Sequence, residues 1–103
     1  MKSIIQNRKC CWVCGATQGL EEHHVFYGKN RHLSEQDGLK VYLCEYHHRG
    51  TDGVHGKNGH DLDVQLKRAA EYQWIRAKST TLEESIKQFR QRYGKNYLDV
   101  EDE

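Results

Sequence analysis

A small α+β domain, a β-hairpin followed by helices, is what this sequence predicts, and three observations lead there. Cys11 and Cys14 form a C-x2-C pair, Cys44 and His47 a C-x2-H pair, and the two lie about thirty residues apart. Two short stretches with strand character lie between them. Beyond residue 60 the apolar positions recur every three to four residues, the period of a helix. A chain of 103 residues with 36% hydrophobic and 30% charged residues has room for one domain and a thin core, the kind of chain a bound metal often staples. The predicted domain spans residues 1–103, with its motifs between about 10 and 75, a last helix near 81–94 and an acidic tail at 99–103.

The elements follow in order. Residues 1–9 are polar apart from Ile4 and Ile5 and predict an extended arm. Cys10-Cys11-Trp12-Val13-Cys14-Gly15 has the form of a zinc knuckle. The tight turn aims two thiolates at one ion, and glycine tolerates the positive φ just after it; Cys10 is out of register and spare. Leu20 to Tyr27 mixes apolar and aromatic residues and predicts a strand. Gly28 to Gly38 is polar with glycine at both ends and predicts a loop. Leu39 to Leu43 alternates, with 39, 41 and 43 on one face, and predicts a second strand antiparallel to the first. A helical turn starts near Glu45. Four glycines between Gly50 and Gly59 interrupt it, and a helix resumes near Asp61 with Leu62, Leu66, Ala69, Ala70, Gln73 and Ala77 on one side and Trp74 beside them. Thr81-Leu82-Glu83-Glu84 is a capping box. Leu82, Ile86, Phe89 and Tyr93 follow as an apolar stripe, Gly94 is a stop, and Tyr97 and Leu98 are placed to pin the tail.

Composition narrows the class. No apolar run approaches the ~20 residues of a membrane span, and the first residues have too short an apolar segment for a signal peptide. A cytoplasmic setting, prokaryotic or phage-infected, with reduced thiols is therefore expected. Four cysteines beside seven histidines then read as metal ligands rather than disulfides. The formal net charge is +1, but four of the 15 acids fall in the last five residues, and the first 98 residues carry +5. A basic body with an acidic tail is compatible with a DNA-binding surface and equally with a merely soluble domain.

Cys11, Cys14, Cys44 and His47 supply three thiolates and one imidazole, which saturate tetrahedral zinc and leave no position for water; the site is structural. The next residue, His48, would face a different ion. A metal that cleaves phosphodiesters needs few protein ligands, open positions and a base nearby. Adjacent strand residues point to opposite faces, so His23 and His24 suit two roles, one ligand and one base. His55 lies across the glycine-rich loop and could swing back to the same ion.

The combination of Cys-x2-Cys, His23-His24-Val25, Gly38-Leu39-Lys40-Val41-Tyr42-Leu43-Cys44-Glu45-Tyr46-His47-His48 and His55 resembles the HNH endonucleases, closest to the small phage-type branch with a zinc-bound ββα-metal (His-Me finger) fold. The resemblance implies that His23 is the first catalytic metal ligand, His24 the general base, His48 the ligand that opens the helix and His55 the last histidine. It implies a cation such as Mg²⁺ or another divalent ion, single-metal hydrolysis of DNA, and phosphate contacts from Lys29, Arg31 and Arg49. A homodimer is compatible with double-strand cleavage. The sequence departs from the pattern at two points. The last ligand usually falls one helical turn after the preceding one, where this chain has Asp52, so Asp52 is the fallback for His55 and His60 a weaker one. The middle Asn that orients the base has no clear counterpart; Asp37 or Gly38 occupies that region, and Asn30 is a candidate. The competing readings are a zinc-bound nucleic-acid-binding module without catalysis and an interaction domain using the helices around 62–93.

Overall fold

The computed structural model describes residues 1–98; the acidic tail at 99–103 lies outside the described residues. The described residues fold as a small α+β protein with one two-stranded sheet and four helices: β1 (Leu20–His24), α1 (Arg31–Asp37), β2 (Lys40–Cys44), α2 (Glu45–Arg49), α3 (His60–Arg76) and α4 (Leu82–Tyr93). Among the described residues no helix is long and apolar enough to cross a membrane.

β1 and β2 pair antiparallel, with His23 opposite Val41 and His24 opposite Lys40. Alternation then sorts the side chains into two faces. Glu21, His23, Val41 and Leu43 share the inner face, and Leu20, Glu22, His24, Lys40, Tyr42 and Cys44 the outer. The expected apolar set Leu39, Val41 and Leu43 is fully buried. It meets Val25, Phe26, Leu66, Ala70, Trp74, Phe89 and Tyr93 in one core, where the Phe26 ring lies 4.5 Å from that of Tyr93 and 5.7 Å from that of Phe89.

The hairpin tip differs from the expectation. Residues 28–38 are not a loop but a single 3-10 turn (Gly28–Asn30) followed by α1. Leu33 and Ser34 face inward; Ser34 is fully buried and accepts from the Phe26 amide. Gly38, at φ +71°, closes the helix in the left-handed conformation. β1 also ends at His24, three residues early, because the chain must turn into this helix.

The N-terminal arm is docked rather than free. The Ile4 amide donates to the Gly38 carbonyl at 2.9 Å, Ser3 Oγ to the Lys40 carbonyl at 2.5 Å, and the Tyr42 amide to Gln6 Oε1 at 2.8 Å. The Trp12 amide donates to the Tyr42 carbonyl, which ties the knuckle to β2.

At α4, Thr81 caps through its side chain, accepting from the Glu84 amide at 3.1 Å, and Gly94 ends the helix at φ +95°. Leu82 is 64% exposed, and Ser85 is buried in its place; the buried stripe therefore starts one turn later than expected. The Tyr97 and Leu98 amides both donate to the buried carboxylate of Glu71 on α3, which holds the end of the described chain.

Candidate metal centres

The first cluster joins the knuckle to the end of the hairpin. The backbone turns at Cys11 so that Gly15 donates to the Cys11 carbonyl at 2.8 Å, and Gly15 has φ +80°. Cys44 ends β2, and one turn of α2 brings His47 back beside it. The donor separations are 3.9 Å from Cys14 Sγ to Cys44 Sγ, 3.8 Å from Cys11 Sγ to His47 Nδ1 and 3.2 Å from Cys44 Sγ to His47 Nδ1. Tetrahedral zinc with bonds of about 2.3 Å to sulfur and 2.0–2.1 Å to nitrogen sets its donors roughly 3.6–3.8 Å apart. Cys11, Cys14, Cys44 and His47 can thus hold a metal ion such as zinc. Burial opposes the Cys11 thiolate, but the amides of Cys44, Cys14 and Val13 outweigh it and bring the thiol down to about 6, in the direction a metal-binding thiolate needs. Cys10 is outside the cluster, with its Sγ 3.9 Å from the Gln6 amide nitrogen.

The second cluster is His23, His48 and His55, each offering a donor atom within 4.8 Å of the others. Each histidine comes from a different element. His23 sits on the inner face of β1. His48 follows His47 on α2, so the chain that builds the cysteine cluster also sets its position. His55 comes from the glycine-rich loop, which is a series of tight turns. Its amide donates to the His48 carbonyl at 3.1 Å, and that of Val54 to the His47 carbonyl at 2.9 Å, so the loop doubles back onto α2. A Cβ on Gly56 would lie 1.9 Å from the Gly50 carbonyl oxygen, and one on Gly59 1.7 Å from that of Gly53. The His23, His48 and His55 rings consequently lie 5.0–5.2 Å apart.

Burial disfavours the charged form of two of these imidazoles. Burial, reinforced by His48 and His55, pushes His23 down to about 3, and burial also lowers His55. His23 Nε2 is buried with no hydrogen-bond partner, an orphan that a metal ion would satisfy. Glu21 lies 2.6 Å from His48 Nδ1, a carboxylate–histidine pairing that leaves Nε2 as the free donor. On the far side Lys67 donates to Asp63 at 2.7 Å and to the Tyr27 hydroxyl at 3.3 Å, while the Tyr27 ring lies 5.4 Å from that of His55.

His24 is not in this cluster. It lies on the outer face at the end of β1, where its Nε2 is 2.7 Å from Glu35 Oε1. Lys40 donates to both oxygens of Glu35 at 3.0 and 3.1 Å, and His24 first, then Lys40, holds the Glu35 carboxyl down at about 2. Glu22, His24 and Glu35 also lie close enough to share an ion, but the Lys40 ammonium, 3.3 Å from Glu22, already occupies that space.

The remaining candidates separate clearly. Asp52 accepts from the Tyr46 hydroxyl and the Asn58 amide and turns away from His48. His60 and His32 are exposed. Arg49 is paired to Glu21 and Glu45, so its charge is engaged within the protein rather than free for phosphate. Lys29 and Arg31 are exposed and make no ion pair among the described residues. Of the three candidates for the middle Asn, Asn30 bonds the Tyr93 carbonyl and Asp37 bonds Trp74, Arg92 and Tyr93; Gly38 caps α1. The residue that meets His24 is Glu35, which the reading of 28–38 as a loop could not single out. No family model, curated protein or solved structure matches this chain.

Proposed function

We propose that this chain is a metal-dependent DNA endonuclease of the HNH type, its hairpin and α2 forming a ββα-metal unit that carries one closed and one open metal site. The observation that carries the reading is the meeting of His23, His48 and His55, with the buried Nε2 of His23 unpartnered. A zinc-bound binding module needs the Cys11, Cys14, Cys44 and His47 cluster alone. It has no use for a glycine-rich loop wound tightly enough to bring a third imidazole to His48.

Three imidazoles are a donor set for Zn²⁺, Ni²⁺ or similar transition ions, whereas Mg²⁺ prefers oxygen ligands. Of the divalent ions expected from the sequence, Mg²⁺ or another, this chemistry favours a transition ion. When bound, such an ion supplies Lewis acidity at a phosphoryl oxygen and at the leaving group. The side chains supply the rest. Glu21 fixes the ring of His48. His24, at the end of β1 on the outer face, is the base: with its Nε2–H donating to the ionised Glu35 carboxylate, Nδ1 is left to take a proton from water. Glu35 thus does through a side chain what the family's middle Asn does for the base. Lys29 and Arg31, with no ion pair among the described residues, are the phosphate contacts among the residues first considered.

Plasmid nicking tests the reading. With Mn²⁺, Ni²⁺ or Zn²⁺ added, the wild type converts supercoiled to open-circular DNA, and His24→Ala and His55→Ala lose at least 100-fold in rate while keeping their structural zinc. A wild type that binds DNA but cuts it with no divalent ion establishes the non-catalytic module instead.

A further inference from the structure

We propose that the cleft between the N-terminal arm and the outer face of the hairpin binds a single strand of nucleic acid, with its phosphates on Lys2, Arg8 and Lys9 and a base against Tyr42. The inference takes its partner class from the nuclease reading but concerns a different surface from the two histidine and cysteine clusters.

The cleft has a volume of about 400 Å³ and is walled by the arm on one side and by Glu22, Lys40 and Tyr42 on the other. Clefts of roughly 300–1,000 Å³ hold ligands of nucleotide size. Its arm wall is built, not draped: Ser3, Ile4 and Gln6 are each bonded to the backbone of residues 38–42, and a Cβ on Gly38 would lie 2.4 Å from the Lys2 carbonyl oxygen. The backbone that carries Lys2 is therefore held against the hairpin.

Charge sets the sign of the ligand. The first ten residues contain Lys2, Arg8 and Lys9 and no acid. All three are exposed, and none makes an ion pair among the described residues, whereas Lys40, Arg49, Lys67 and Arg92 are all paired. The two carboxylates at the cleft's edge, Glu22 and Glu35, are offset by two cations: Lys40 bridges both, and the N-terminal ammonium of Met1 pairs with Glu35. Unpaired cations along a concave wall attract a polyanion. The aromatic component is Tyr42, half-exposed, with Lys9 Nζ 5.7 Å from its ring centroid. A basic groove with an aromatic surface is the arrangement that binds single strands through backbone charge and base stacking.

Position links the cleft to chemistry. Lys40 at its edge bonds Glu35, and Glu35 bonds His24. A strand seated along the arm therefore runs toward the proposed base, so this surface would present substrate to it.

The test is fluorescence anisotropy of a labelled oligothymidylate with the full chain loaded with one equivalent of zinc and no other divalent cation, the length of the oligomer being checked on a denaturing gel after each titration so that binding is read on intact strand. Arg8→Ala/Lys9→Ala is expected to weaken binding at least tenfold and to lower the slope of log K against log salt by about 1.4. Zinc content and melting temperature stay at wild-type values, and Arg90→Ala, an exposed cation on α4, binds as the wild type does. Unchanged affinity in the double variant overturns the proposal. So does a mononucleotide that binds as tightly as the oligomer, which marks a free-nucleotide site, or a duplex that binds more tightly than the single strand. A protein that cuts nothing but loses strand binding in the double variant refutes the nuclease reading and leaves this one standing.

Discussion

At the scale of single residues, the account turns on what each histidine touches. His47 and His48 are neighbours, yet one meets three sulfurs and the other meets Glu21, His23 and His55. That division was legible in the sequence, because a C-x2-H pair fixes His47 and helical rotation turns the next residue elsewhere. Glu35 was not legible: an acid between two glycines in a polar stretch has no pattern to mark it, and only the α1 helix brings it to His24. Its carboxyl, depressed from 4.5 to about 2 chiefly by His24 and Lys40, contributes stability that is present above pH 4.5 and lost as pH falls toward 2. Glu35→Gln should therefore have a lower urea midpoint than the wild type above pH 4.5, and the gap should close below it. A gap that does not depend on pH would mean that the carboxylate's charge contributes nothing.

At the scale of elements, the glycine-rich loop decides whether the open site exists. Four glycines exclude a helix, and that much is plain from composition. The packing of Gly56 against the Gly50 carbonyl is a tertiary fact with no sequence signal. Gly56→Ala places a methyl 1.9 Å from that oxygen, so the loop must open. The variant is expected to lose about 1–3 kcal/mol of stability together with the metal at His55, while the cysteine cluster stays loaded; full occupancy of both sites in a folded Gly56→Ala protein would show that the tight winding is dispensable. The α1 helix escaped the sequence for a related reason. Seven residues with only Leu33 and Ser34 turned inward make no visible stripe, and Gly38 serves as a helix cap where a loop boundary was expected. At α4 the cap was legible, and Thr81→Ala should cost about 1 kcal/mol in chemical denaturation.

At the scale of the whole molecule, a thin core is held by two polar devices. One is the cysteine cluster, which ties residues 11–14 to residues 44–47. The other is Asp37, at the end of α1, which accepts from Trp74 Nε1 at 3.1 Å on α3, and from Arg92 Nε at 2.7 Å and the Tyr93 hydroxyl at 2.6 Å on α4. The cysteine staple was legible from spacing alone, but the Asp37 hub was not, since its partners lie 37 to 56 residues away. Cys44→Ser is expected to unfold the chain and abolish zinc binding, because an ion held by the cluster would supply folding free energy in a domain of this size; a stable, zinc-free variant would remove the structural role. The central claim is that one chain holds two ions at separate places. Metal analysis of the zinc-equilibrated wild type and His23→Ala tests it most directly: the account predicts two equivalents per chain in the first and one in the second, and a single equivalent in both would contradict it.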